Sequence, residues 1–193
     1  AEAGIYLPSP IQANATTLPA EYSEQYDAVL LMGPLYHLLT AADRLAAVRE
    51  AYRVLRPGGY IFAAFTTRFA PLRDVGIHSP QWILEHPERF RTLIDEGLNP
   101  AHESSAFPDS YFTHPAEVVP FMEAGGFTTR DLLGCEGIVA GHEEAVNALE
   151  GEAWAAWVSL NYRLGHEPSL YGAADHLLYV GTRPASPNHE ERL

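Results

Sequence analysis

Apolar positions in this chain fall into continuous runs and helical stripes. The continuous runs are DAVLLM at 27–32, YIFAAFT at 60–66 and HLLYVGT at 176–182. The first is bounded by Asp27 and by Gly33-Pro34, which is the pattern of a strand buried on both faces of a parallel sheet. Between the first two runs, Leu45, Val48, Tyr52 and Leu55 recur at spacings of 3, 4 and 3, one face of a helix. Thr40 caps that helix, and Asp43 sits in its first turn, where the dipole favours a carboxylate. Arg56-Pro57-Gly58-Gly59 stops it. Strand, helix and strand at this length predict a βαβ unit with parallel, neighbouring strands.

The rest of the chain is less regular. Residues 1–5 read as the last turn of a helix, with Gly4 as its stop, and residues 11–19 as the end of a short strand near Asn14. Residues 68–76 are a loop or short helix. Two short helices follow, split at Pro87, and then a long polar stretch with embedded aromatics at 99–112. His114-Pro115-Ala116-Glu117 starts a helix that ends at Gly125-Gly126, with a kink expected at Pro120. Residues 127–137 are a further strand. Residues 143–164 predict one long helix with a stripe of Leu149, Ala153, Ala156, Leu160 and Leu164, and Gly165 as its cap. Residues 184–193 read as a flexible tail.

Composition narrows the function classes. The 193 residues carry a formal net charge of −13, which argues against a nucleic-acid surface needing a basic stripe. Cys135 is the sole cysteine, so an intrachain disulfide is excluded and a reducing, cytoplasmic setting is expected. No stretch approaches the ~20 apolar residues of a membrane span. The nine histidines are scattered without i, i+4 or H-x-H spacing, so no metal is expected.

In order, these pieces resemble the class I S-adenosylmethionine-dependent methyltransferases, most specifically over residues 13–66. ANATTLP at 13–19 is similar to the segment after that family's third strand. YDAVLLMGPLYHL at 26–38 is similar to its fourth strand and turn. VLRPGG at 54–59, followed by YIFAAF, is similar to its fourth helix and fifth strand. HPAEVVPFMEAGGF at 114–127 and HLLYVGTRP at 176–184 are similar to the approach to its sixth strand and to its seventh. The resemblance implies an α/β, Rossmann-like, doubly wound, mostly parallel sheet of order 3-2-1-4-5-7-6. It spans 1–183 as one methyltransferase-like domain, with substrate-side insertions at about 67–114 and 142–175. The family's glycine-rich loop and the acidic residue ending its second strand have no counterpart here. The resemblance therefore implies a longer natural protein, and an open edge on the fourth strand of this piece.

The same resemblance implies S-adenosyl-L-methionine as cofactor and a small-molecule acceptor, with no nucleic-acid or membrane partner and with room for a homodimer. Asn14 would accept from the adenine amino group and Ala15 would offer its N–H; the alternative for Asn14 is an ordinary cap or turn residue. Met32 and Gly33 would meet the methionine end, and Tyr36 the sulfonium. His37 is the candidate general base, or else a structural histidine opening a helix. In the insertions Arg68, Tyr111 and His114 are the substrate-binding candidates. A catalytically silent relative that keeps the fold as a binding or regulatory protein is the competing reading.

Overall fold

The computed structural model describes residues 9–99 and 108–185. The expected helix turn at 1–5 and most of the tail at 184–193 lie outside them.

A four-stranded sheet organises the chain. Its strands are β1 (Tyr26–Leu31), β2 (Leu55–Thr66), β5 (Thr128–Gly134) and β6 (His176–Thr182), in the order β1-β2-β6-β5. A small ladder of β3 (Leu98–Asn99) and β4 (Ser110–Tyr111) stands apart from it. β1 and β2 are parallel neighbours, with Val29 opposite Ile61 and Leu31 opposite Ala63. β6 runs antiparallel to both β2 and β5. Three strands thus point one way and one the other, which is the 4-5-7-6 half of the expected order.

The helices are α1 (Pro34–His37), α2 (Ala41–Val54), α3 (Ala70–His78), α4 (Trp82–Glu85), α5 (Pro87–Glu96), α6 (Pro115–Ala124), α7 (Glu143–Asn147) and α8 (Gly151–Gly165). Thr40 caps α2, its Oγ1 accepting from the Asp43 amide at 3.1 Å. α2 and α6 cover one face of the sheet. Val48, Leu55, Ile61, Val118, Met122, Leu177 and Tyr179 form the solvent-free centre of the core. α6 continues through Pro120, its sixth residue, as one helix, with the bond to the Ala116 carbonyl forgone there.

The structure corrects several expectations. β1 is buried on one face only: Leu31 is in the core, but Leu30 is 70% exposed and Tyr26 42%. β1 has β2 alone as a ladder partner and forms the sheet's edge among the described residues, so the covering that a parallel strand normally needs is missing there. Among the described residues near Asn14 there is no strand; Asn14 and Thr17 form an isolated bridge around a tight turn.

β2 begins at Leu55, before the Arg-Pro-Gly-Gly stop. That irregular stretch stays in the ladder because the Gly58 amide donates to the Arg183 carbonyl and the Arg183 amide to Gly59, each at 2.9 Å. Arg183 also reaches the end of α2, donating from Nη1 to the Leu55 carbonyl at 2.7 Å and to Tyr52 at 3.2 Å. The single long helix at 143–164 is instead α7 and α8, separated at 148–150, with Gly151 at φ 60°. Of its expected stripe, Ala153, Ala156 and Leu160 are exposed while Leu149 and Leu164 are half-buried.

Thr40→Ala removes the α2 cap and should lower unfolding free energy by about 1 kcal/mol in urea titrations, with the slope of the transition unchanged.

Candidate functional site

The parallel pairing brings the carboxyl ends of β1 and β2 to one edge of the sheet, where β5 ends and β6 begins. Thr66 faces His176 across the β2–β6 ladder, and Gly134 faces Leu177 across β5–β6. The loop at 112–114 is tied to the tip of β2: the Thr113 amide donates to Thr66 at 2.8 Å and the Arg68 amide to Thr113 at 3.1 Å. Thr67, fully buried, donates from Oγ1 to the Ala174 carbonyl at 2.8 Å.

After β1 the chain turns at Gly33, whose φ of 146° is one that side chains rarely adopt. A Cβ there would meet only the Tyr36 hydroxyl, at 3.7 Å. Tyr36 is half-buried, and its ring lies 4.7 Å from that of the exposed His37. Met32 is 47% exposed. Asn14 is exposed at its own turn, where its Oδ1 accepts from both the amide and the hydroxyl of Thr16, each at 3.0 Å. Ala15 is half-buried against the core.

The three substrate candidates meet at a residue the sequence reading did not single out. Arg68 is buried and donates from Nη2 to both carboxylate oxygens of Glu117, at 2.9 and 3.1 Å. The Tyr111 hydroxyl donates to Glu117 at 2.9 Å. His114 caps α6, its Nδ1 accepting from the Ala116 amide at 3.2 Å while its own amide reaches Glu117 at 3.4 Å. The signal was present as a capping box, a cap residue followed three positions later by Glu.

Arg44 completes the group. It lies 3.4 Å over the Tyr111 ring and donates to the carbonyls of Leu38 and Leu39, at 3.0 and 2.7 Å. Burial lowers the Arg44 guanidinium below its ordinary value against the pull of Tyr111 and Glu117. Burial, then the Glu117 carboxylate, raises the Tyr111 hydroxyl, so it remains a proton donor. Gly97, at φ 73°, permits this crowding: a Cβ there would stand 2.3 Å from the Phe112 carbonyl.

A cavity of about 530 Å³ opens beside this cluster at the same edge. Thr66 and His176 contribute from the sheet and Asp175 from the residue before β6, and α3, α4 and α5 supply apolar walls. His176 is held by Glu136, 2.7 Å from Nδ1. That hydrogen bond raises the His176 imidazole above its ordinary value, with burial opposing. Burial works to raise Glu136, but its bonds from His176 outweigh this and leave it lowered. Among the described residues no group of three His, Cys, Asp or Glu is placed to hold a metal ion, and no helix is long and apolar enough to cross a membrane.

Residues 2–63 match the family model of the methyltransferase domain. No curated protein matches the chain. Among solved structures, an S-adenosylmethionine-dependent methyltransferase from Methanosarcina mazei aligns with 90% of this chain and 66% of its own, at TM-score 0.55 and 13% identity. A protein from Listeria monocytogenes assigned to the same enzymes aligns over 94% and 73%, at TM-score 0.56 and 12% identity. The chain spans less than two thirds of a third such protein, from Thermotoga maritima, covering 63% of it at TM-score 0.50 and 18% identity. The chain thus has the fold of the class I S-adenosylmethionine-dependent methyltransferases. In sequence it is similar to the methyltransferase-domain model over residues 2–63.

Two outcomes follow from this geometry. Glu117→Ala leaves the buried Arg68 without its carboxylate and should cost about 2 kcal/mol by chemical denaturation, below the full penalty for a buried pair because Glu117 is half exposed. The His176–Glu136 pair contributes stability that is complete below the ordinary histidine value of 6.5 and is lost as pH rises through the raised value. Histidine NMR titration should therefore find His176 titrating above 6.5, and Glu136→Gln should bring it back toward that value.

Proposed function

We propose that this chain is an S-adenosylmethionine-dependent methyltransferase acting on a small-molecule acceptor by in-line methyl transfer. The observation that carries this reading is the parallel β1–β2 pair, with residues 33–37 and the 530 Å³ cavity at its carboxyl edge.

The turn after β1 fits the methionine end of such a cofactor. Gly33 keeps its backbone approachable where a Cβ would stand, and Met32 is half exposed beside it. The Tyr36 ring offers an aromatic face to a sulfonium. Asn14 fits the adenine amino group less well, since its Oδ1 already accepts two bonds from Thr16. Bound, S-adenosylmethionine supplies a methyl group activated for displacement. The chain's own work is then to place an acceptor atom in line and to keep water out. His37, exposed at the end of α1, takes the proton that the acceptor loses.

Arg68, Tyr111 and His114 act on the acceptor as one unit through Glu117. All three are committed to that carboxylate or to the α6 cap, so their role is to hold the cavity's wall at the tip of β2.

Calorimetric titration of S-adenosylmethionine into the chain should give saturable heat, which Gly33→Val should weaken at least about tenfold by filling the turn. His37→Ala should leave that affinity within a few-fold. With methyl-tritiated cofactor and a panel of small-molecule acceptors, it should cut turnover about a hundredfold or more. Turnover preserved in His37→Ala removes the base. Cofactor binding with no turnover on any acceptor favours the silent relative.

A further inference from the structure

Two of the ionisable groups that line the cavity are held in ion pairs. Asp175 is paired with Arg73, and His176 with Glu136 at 2.7 Å. Asp74 stands at the exposed rim, 3.0 Å from His78. Arg89 also lines the cavity, but among the described residues no carboxylate lies within ion-pair distance of it. Its partner is Asn99, whose Oδ1 accepts from Nε at 3.1 Å and from Nη2 at 2.8 Å. The remaining nitrogen, Nη1, is shut from solvent without an acceptor.

Asn99 is itself 6% exposed and sits in the β3–β4 ladder, so it is a rigid post. A buried aspartate there would hold the guanidinium in the same place and neutralise it. An asparagine orients it and leaves the charge standing. Arg89 is half-buried, and its enclosed Nη1 gains from an acceptor that the cavity admits. The surroundings suit an aromatic body: Trp82, Phe90, Leu93 and Phe112 line the cavity, and the Arg89 guanidinium lies 5.7 Å over the Trp82 ring. A chain with net charge −13 repels anions in general, so admitting one requires such a local cation.

The geometry points to a specific ligand class: the cavity receives a small aromatic molecule bearing a carboxylate or another anionic group, which pairs with Arg89 while the ring packs against Trp82 and Phe112. That this ligand is the methyl acceptor rests on the function proposed above; the anion preference itself does not.

The test uses three probes with one ring and different charge: phenylacetate, phenylacetamide and phenethylamine, titrated calorimetrically into the chain without cofactor. Phenylacetate should bind at least about tenfold tighter than the amide, and the amine weakest. Arg89→Met should abolish the preference. Asn99→Asp should abolish it too, by setting a carboxylate on Arg89 while keeping its position, and it serves if the Met variant does not fold. An amine bound as tightly as phenylacetate overturns the inference. So does a preference surviving in either variant, or no binding of any probe. Anion preference without methyl transfer would sink the proposed enzyme and leave this site standing; methyl transfer without the preference would do the reverse.

Discussion

Every functional feature of this chain hangs on the parallel pairing of β1 with β2. A parallel pair cannot be closed by a tight turn, so a crossover must intervene, and here it is α2. Once both strands point the same way, both of their carboxyl ends open on one edge. The Gly33 turn, the Thr66–Thr113 junction and the start of β6 then share that edge. Had the strands run antiparallel, Gly33 and Thr66 would lie at opposite ends of the sheet.

Around that edge the chain uses its charges in two ways. Glu117 takes bonds from Arg68, Tyr111 and the His114 amide, which fixes the loop at 110–114 against the tip of β2. The cluster binds its members to one another at the tip of β2, although Arg68 Nε is buried there without an acceptor. Arg89, held by a neutral amide, is the contrasting case, a cation oriented without a carboxylate partner among the described residues. The first arrangement spends its polar groups on structure, and the second keeps one for a ligand.

The βαβ unit was legible because its signals are local: a cap at Thr40, a stripe of 3 and 4 spacings, a Pro-Gly-Gly stop and two apolar runs. The last strand was legible for the same reason. What misled was the inference from a continuous apolar run to burial on both faces. Leu30 is as apolar as Leu31, yet only Leu31 has a helix packed over it. The break between α7 and α8 was hidden because Gly151 weakens a helix without forbidding one, and its left-handed φ shows only in three dimensions. Arg68, Tyr111 and His114 were identified as a set of polar tips; that they converge on Glu117 could not be read from positions as far apart as 68 and 111.

By itself the sequence determined the secondary elements of the sheet, the parallel direction of its first two strands and a match to the methyltransferase-domain model over residues 2–63, because hydrophobic period, caps and turn residues act over a few positions. The tertiary structure alone decided which apolar faces are covered and which arginine of the cavity has an amide for its partner. Burial and ion pairing depend on neighbours brought together from distant parts of the chain, and no local pattern records them.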